Sequence, residues 1–187
     1  LSRRFKPGQL IISILAGTPL ARLITKLQHN EIIRAMPNTP AQIGMGMTIW
    51  TASEQVSAKQ QRDAQTILSS MGSALCVSDE GYIDKATAIS GSGPAYFFLF
   101  MEYMVDSAIK LGFDIETARK LVLQTAKGSI TYAVSSSQNL SELRRQVTSP
   151  GGTTAEAIAY FESNDIKQII NGAIMAAYRK ATEMGRH

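Results

Sequence analysis

The sequence predicts an α/β region followed by an all-α region. Short apolar runs alternate with helical patterns up to about Ser78, which is typical of an α/β unit with a mainly parallel sheet. From Tyr82 onward apolar residues recur every three or four positions, and no further strand is indicated. The change of pattern falls near residues 78–81, so we divide the chain into residues 1–79 and residues 80–187.

The first region is predicted to contain four strands and two helices. The run QLIISILAG, residues 9–17, reads as a buried strand that ends at a glycine, and Thr18–Leu27 as a helix capped by its threonine. A second strand in EIIRAM ends at the turn MPNTP, and a third follows in GMGMTIWTA. Ser53 is predicted to cap a helix over residues 54–71, and SALCVS forms the last strand.

The second region is predicted to be entirely helical. Its helices are expected over residues 82–110 with a break at SGSGP, then over 115–134, 141–147, 154–161 and 165–184. Residues 95–105 carry Met, Phe and Tyr on more than one face, and a helix that is apolar all round is buried in a large core or a subunit interface. Because the chain is small for such a core, we expect a dimer.

Composition excludes several classes of protein. The net charge of +4 comes from 19 basic and 15 acidic residues without a dense basic stripe, so no nucleic-acid partner is expected. The apolar run Gln9–Gly17 is far shorter than the roughly 20 residues of a membrane span. No set of His, Cys and carboxylates has metal-ligand spacing. A single cysteine, Cys76, is expected in the core, and with no signal peptide in these residues it indicates the cytoplasm.

Two short motifs have both a structural and a functional interpretation. MPNTP, residues 36–40, is either a plain turn or a rigid turn that points Asn38 and Thr39 outward at the ligand-binding edge of the sheet. SGSGP, residues 90–94, lacks the lysine of a phosphate-binding loop and favours a helix kink where two chains pack closely.

A third motif, TSPGGTT, residues 148–154, precedes a predicted helix. Its glycines allow a concave backbone, and the first N–H groups of a helix have no internal partner and carry the positive end of the helix dipole. A carboxylate or a phosphate would bind well there. A Ser/Thr-capped helix after a Pro-Gly turn explains the same residues, and this stretch alone leaves both interpretations open.

Taken together, the motifs MPNTPA, TAISGSGPAYFF and VTSPGGTTAEAI, in this order and at these separations, closely resemble pyrroline-5-carboxylate reductases. The resemblance extends from about Gln9 to near the C-terminus. It implies a partial Rossmann-type parallel sheet that binds NADPH or NADH, followed by a helical domain that dimerises and binds substrate. The implied reaction is hydride transfer to 1-pyrroline-5-carboxylate, giving L-proline. The implied assembly is a homodimer, with a higher oligomer of dimers left open.

The resemblance also implies residue roles at the substrate. The substrate carboxylate would be held by the Ser149 hydroxyl and by backbone N–H groups of Gly151, Gly152 and Thr153. Thr154 would lie beside the imine nitrogen and is the candidate catalytic residue. Two further substrate contacts are implied, Glu80 facing the ring and Pro94 on the pocket wall. No side chain is a convincing proton donor or base, which suits an imine that arrives protonated.

Four residues are implied at the cofactor. Ile14 and Ala16 match the segment that passes the nicotinamide, Asn38 matches a nearby polar contact, and Gln146 matches a polar position facing the cofactor.

Two departures separate the chain from the family pattern. The dinucleotide fingerprint GxGxxG does not occur in these residues, so the chain as it stands is not expected to bind a dinucleotide tightly. Ser137 and Leu140 stand where the family commonly has an acidic residue and a proline. The alternative function is therefore a non-catalytic helical dimerisation fragment with an incomplete nucleotide domain. A β-hydroxyacid dehydrogenase is the enzymatic alternative, but no lysine lies in a matching motif.

Overall fold

The computed structural model describes residues 5–6 and 8–186, with Arg186 described by its backbone alone. Packing divides the described residues into two compact units. The sheet unit runs to Pro94 and also includes the chain from Gly172 onward, and the helical unit is Ala95–Asn171. The elements, in chain order, are β1 (Ile11–Ser13), α1 (Leu20–Leu27), β2 (Ile32–Met36), β3 (Gly46–Ala52), α2 (Ala58–Ser69), β4 (Gly72–Cys76), α3 (Gly81–Ala86), α4 (Gly93–Lys110), α5 (Ile115–Ser135), α6 (Leu140–Gln146), α7 (Thr153–Ser163) and α8 (Ile166–Arg186).

The sheet has the order β1-β2-β3-β4 and is mixed. β1 pairs parallel with β2, and β3 pairs parallel with β4, each across a helix, as the α/β pattern predicts. The central β2–β3 pair is antiparallel. A 3-10 helix, Thr39–Ile43, joins these two strands, and so short a connection cannot carry the chain back to the same end of the sheet. The predicted fold class is confirmed, with one antiparallel pair in a mainly parallel sheet.

The core of the sheet unit lies between the sheet and α2. Its members are apolar and buried: Ile33, Ala35, Trp50, Val56, Ala64 and Leu68. β2 is buried on both faces, which explains why its residues, apart from Arg34, are apolar rather than alternately apolar and polar.

Both predicted caps of the sheet-unit helices are wrong. α1 begins at Leu20 with Pro19 at the cap position, and the Thr18 hydroxyl donates instead to the Ala16 carbonyl, at 3.4 Å. α2 begins at Ala58, and its cap is Ser57. Ser57 and Gln60 form a capping box, a Ser-x-x-Gln signal that the sequence contained.

Ser53 has a different role from the predicted one. Its hydroxyl is buried, accepts a hydrogen bond from the Ile32 N–H and donates to the Asn30 carbonyl. These bonds join the end of β3 to the start of β2. Ser53 therefore fixes strand pairing rather than a helix end.

Cys76 is exposed, so its predicted place in the core is also wrong. It is the last residue of β4, an edge strand on which Leu75 is exposed too. Partial burial raises the pKa of the Cys76 thiol.

The boundary between the packing units lies later than the change of sequence pattern. α3 packs on β2 and β3 and buries Ile83, so the chain around residues 81–94 belongs with the sheet. A π-helical turn, Thr87–Gly91, occupies the start of the SGSGP motif and separates α3 from α4. The kink expected at this motif thus takes the form of a wide helical turn.

The helical unit buries few large side chains. Among its described residues, Ala118 and Val122 are the buried hydrophobic ones. α4 exposes Phe97, Phe98 and Phe100, and α5, α7 and α8 expose further large apolar side chains. Within the described part of the chain, none of the helices has the length and apolarity to cross a membrane.

Candidate functional site

A rigid turn formed by Ser149, Pro150 and two glycines precedes α7. The Gly152 N–H donates to the Ser149 carbonyl at 3.0 Å, and Gly151 has φ +70°, which identifies a turn with Pro second and a left-handed glycine third. A side chain at Gly152 would bring a Cβ within 3.1 Å of the Ser149 carbonyl oxygen. The left-handed conformation therefore favours glycine at position 151, and a side chain at Gly152 would require the Ser149 carbonyl to shift by a few tenths of an ångström.

The N-terminal end of α7 is left open by this turn. Gly152 occupies the cap position and offers no side-chain acceptor. Among the described residues, no hydrogen-bond acceptor is found for the N–H groups of Thr153, Thr154 or Ala155. Three adjacent donors at the positive end of a helix dipole form a site suited to a carboxylate.

Two hydroxyls lie beside these N–H groups on the chain. Among the described residues, neither the Ser149 hydroxyl nor the Thr154 hydroxyl has a hydrogen-bond partner. Six other threonines donate to the carbonyl four residues earlier: Thr25, Thr66, Thr87, Thr131, Thr148 and Thr182. Thr154 is the second residue of its helix, so the carbonyl four positions earlier, that of Pro150, lies outside the helix. The Thr154 hydroxyl is therefore available to hydrogen-bond to a ligand.

Gln146 is the last residue of α6 and, like α7, belongs to the helical unit. Its side-chain amide donates to the Gln138 side-chain oxygen at 2.6 Å. A concavity of about 400 Å³ is lined by these two residues with Glu142 and Arg145. An Arg144–Glu162 ion pair, at 3.5 Å, joins α6 to α7. The predicted cofactor contact of Gln146 stays a prediction.

The sheet unit contains the other predicted cofactor residues. Ile14 and Ala16 lie in the loop that follows β1, at the carboxyl end of the parallel β1–β2 pair. Both are exposed, Ile14 with 59% of its surface accessible. Gly17 closes the loop with φ +63°, and a Cβ there would lie 2.5 Å from the Met184 Cβ on α8. The predicted cofactor contacts of Ile14 and Ala16 stay predictions.

Asn38 is engaged within the sheet unit. Its side-chain oxygen accepts from the Met47 N–H at 2.9 Å, and its side-chain nitrogen donates to the Ser90 carbonyl at 3.0 Å. The side chain therefore ties the β2–β3 turn to the π-helical turn. A cofactor contact by Asn38 stays a prediction, and the structure gives this residue a framework role that the motif alone did not reveal.

Glu80 belongs to a charged cluster that sequence reasoning missed. Its Oε1 accepts from Arg34 Nη1 and from the Leu20 N–H, each at 2.8 Å. Asp84 accepts from Arg34 Nη2 at 2.6 Å. The Arg34 guanidinium is buried, with 2% of the residue exposed, and no partner is found for its Nε among the described residues. The available signal was one arginine inside the apolar strand IIRAM.

The remaining predicted contact, Pro94, is half-buried in the first turn of α4. The predicted residues thus fall into two groups. The sheet unit holds Ile14, Ala16, Asn38, Glu80 and Pro94, and the helical unit holds Gln146, Ser149 and Gly151–Thr154. Their roles toward substrate and cofactor stay predictions. Among the described residues, no group of three or more His, Cys, Asp or Glu could hold a metal ion.

Residues 80–184 match the family model described as pyrroline-5-carboxylate reductase dimerisation. The chain is 48% identical to the pyrroline-5-carboxylate reductase of Pseudomonas aeruginosa over 98% of its own length and 68% of that protein. It is 40% identical to the enzyme of the same name from Synechocystis, over 95% of this chain and 66% of that protein.

Solved structures give the same result. The Plasmodium falciparum pyrroline carboxylate reductase with NADP bound has a TM-score of 0.90 at 36% identity and covers 96% of this chain and 72% of its own. The pyrroline-5-carboxylate reductase from Coxiella burnetii has a TM-score of 0.87 at 40% identity, over 94% of this chain and 65% of its own. The chain spans about two thirds of the length of these relatives.

Proposed function

The chain belongs to the pyrroline-5-carboxylate reductase family, and from that premise we propose that the complete protein reduces 1-pyrroline-5-carboxylate to L-proline with NADPH or NADH. The open N-terminal end of α7 is the observation that carries this proposal. Three N–H groups without partners and two unengaged hydroxyls offer the donors that a small cyclic carboxylate needs.

In the proposed mechanism the helical unit binds and orients the substrate. The N–H groups at the start of α7 and the Ser149 hydroxyl bind the carboxylate, and the Thr154 hydroxyl lies beside the ring nitrogen. Bound NADPH or NADH supplies the hydride. We assign the loop that contains Ile14 and Ala16 to the binding of its nicotinamide ring. Because the imine arrives protonated, the protein's contribution is orientation and charge stabilisation.

The proposal includes the assembly and the location. The exposed aromatic side chains of α4 support a homodimer formed through the helical unit, because that much apolar surface is rarely left in water. Dimers that associate further would give a multiple of the dimer mass by light scattering. The single cysteine supports a reducing cytoplasmic compartment.

Replacement of Thr154 by alanine tests the proposal in the complete protein. We expect Thr154→Ala to lower kcat/KM for 1-pyrroline-5-carboxylate about 10- to 100-fold, the size of one hydrogen bond to a charged group. Thr154→Ser should recover most of the loss because it keeps the hydroxyl. Substrate-dependent oxidation of NADPH and, separately, of NADH, followed by absorbance, is the measurement.

Thr131→Ala is the matched control. It removes a hydroxyl from the same unit, but one that donates to the Lys127 carbonyl of its own helix. We expect wild-type kinetics. Wild-type turnover in Thr154→Ala would remove Thr154 from the site, and a wild-type protein that oxidises neither NADPH nor NADH in the presence of substrate would refute the proposed reaction.

A further inference from the structure

The N-terminus of α1 is capped by a side chain from a distant part of the sequence. Pro19, at the cap position, has no side-chain acceptor, and no residue next to it in the chain supplies one. The Leu20 N–H, the first of the helix, donates instead to Glu80 Oε1 at 2.8 Å, from 60 residues further along the chain. A carboxylate at this position also interacts favourably with the positive end of the helix dipole.

Glu80 is itself held in place by Arg34. The guanidinium of Arg34 spans one turn of α3, with Nη1 on Glu80 and Nη2 on Asp84. Because Arg34 is buried, it requires paired carboxylates, and this requirement fixes where the Glu80 oxygens point. The ion pair therefore positions the cap of α1.

The cap fixes one end of the loop Ile14–Pro19. At the same end the backbone of Gly17 passes so near α8 that a Cβ on it would lie 2.5 Å from the Met184 Cβ, and at the other end the Ser13 hydroxyl accepts from the Leu15 N–H at 3.4 Å. The side chains of Ile14, Leu15 and Ala16 are exposed, and none of the three belongs to the hydrophobic core cluster of the described residues. Backbone anchors at the loop ends therefore determine its conformation.

We infer that Glu80 is a positioning residue for the loop Ile14–Pro19, and through that loop for the nicotinamide cofactor, rather than a contact to the substrate ring. The inference rests on the proposed function only for the identity of the ligand at this loop. It assigns Glu80 a role different from the one that the family resemblance implied.

The test uses three variants of the complete protein. Glu80→Ala removes the cap, and Glu80→Gln keeps an oxygen acceptor without the charge. Asp84→Asn weakens the other contact of the Arg34 guanidinium, that of Nη2, and leaves the hydrogen bond to α1 in place. Three quantities are measured for each: the Kd for NADPH by fluorescence titration, the KM for 1-pyrroline-5-carboxylate, and amide hydrogen exchange in peptides covering residues 14–20 and 46–52.

We expect Glu80→Ala to raise the NADPH Kd about tenfold while the substrate KM stays within twofold. Exchange should accelerate in residues 14–20 and stay unchanged in residues 46–52, which form β3. Glu80→Gln should show a smaller change in the same direction, and Asp84→Asn should change the NADPH Kd and exchange in residues 14–20 less than Glu80→Ala does, because it leaves Glu80 bonded to the Leu20 N–H. If Glu80→Ala does not fold, Glu80→Gln decides by the same readouts.

Other outcomes overturn the inference. A raised substrate KM with an unchanged NADPH Kd would make Glu80 a substrate contact, and an equal effect of Asp84→Asn would assign the change to the ion pair in general. Unchanged exchange in residues 14–20 would also reject it. A wild-type protein that binds NADPH but does not reduce the substrate would refute the proposed reaction alone, since the titration and the exchange still test Glu80.

Discussion

The two packing units differ in how completely they bury their own apolar residues. The sheet unit has a closed core around Trp50, which is 2% exposed, and pairs its buried arginine with two carboxylates. The helical unit has Ala118 and Val122 as its buried hydrophobic residues among those described, while Phe97, Phe98 and many others face outward.

This difference indicates where each unit obtains its stability. Burial of apolar surface is the main favourable contribution to folding, and the sheet unit obtains it from its own residues. The helical unit exposes the side chains that would supply it, so a second subunit has to cover them. The units should therefore respond differently to substitution: the sheet unit through its own contacts, the helical unit through its assembly.

A charge on α4 should have the largest effect. Phe97→Asp removes a phenyl group worth about 1.5–3 kcal/mol when buried and adds a carboxylate that is costly to desolvate, in both subunits of a dimer. We expect the dimer dissociation constant to rise more than about 100-fold, measured by light scattering over a dilution series.

Ile67→Asp is the control for this comparison. Ile67 lies on α2 of the sheet unit and is 54% exposed, close to the 62% of Phe97. We expect wild-type association. A dimer equally affected by both substitutions, or by neither, would contradict the proposed division of roles between the units.

A methyl group at Gly17 should have an intermediate effect, confined to the sheet unit. Gly17→Ala imposes a left-handed conformation on a side chain, about 1–2 kcal/mol, and brings its Cβ within 2.5 Å of the Met184 Cβ. With about 1–3 kcal/mol for overpacking, we expect a total loss of about 3 kcal/mol. Urea unfolding followed by fluorescence of Trp50, the one tryptophan, measures it.

Gly44→Ala separates the two contributions. Gly44 has φ +71°, but a Cβ there would meet no atom within 4 Å, so the substitution carries the conformational cost alone. We expect a loss of about 1–2 kcal/mol. Equal losses at Gly17 and Gly44 would mean that the end of α8 does not pack tightly on the loop after β1.

The smallest expected effect is a pH dependence in the helical unit. Hydrogen bonds from the side chain and backbone of Thr117, and from the backbone of Glu116, lower the pKa of Asp114, the cap of α5. This contribution to stability is therefore present above the ordinary carboxylate pKa of about 3.9 and is lost as the pH falls through the lowered value. Asp114→Asn, which keeps a capping side chain, should remove that acid-dependent loss.

Far-UV circular dichroism during acid titration is the measurement. Asp114→Ala provides the comparison, because it removes the cap and should lower helix stability at neutral pH as well. An Asn variant that loses stability in acid as steeply as the wild type would show that Asp114 makes no pH-dependent contribution.

Local sequence signals predicted most elements but not their ends. All four strands and every long helix were predicted, because apolar spacing reflects which face each element buries. The predictions of Thr18 and Ser53 as caps were wrong, because any of several polar residues near the start of a helix can cap it. The capping box of Ser57 and Gln60 was not predicted. Cys76 was predicted to lie in the core because nothing in the local pattern indicates that β4 is an edge strand.

The candidate site shows the same difference between features that local sequence signals predict and features that they do not. TSPGGTT left a capped helix and an open, anion-binding helix end as alternatives, and its Pro and Gly residues form the turn that leaves the N-terminal end of α7 open. The framework contacts of Asn38 with Met47 and Ser90 could not be predicted in the same way, because they join residues up to 52 positions apart.

The sequence by itself determined the α/β-then-α order, the family and the turn that leaves the α7 N–H groups free. Each depends on residues close together in the chain or on motifs in a fixed order. The tertiary structure alone decided that Glu80 caps α1, that Arg34 is buried between two carboxylates and that the end of α8 returns to the sheet unit. A hydrogen bond or ion pair across 46 or 60 residues leaves no periodic trace in the sequence, because its partners meet only when the elements between them have folded.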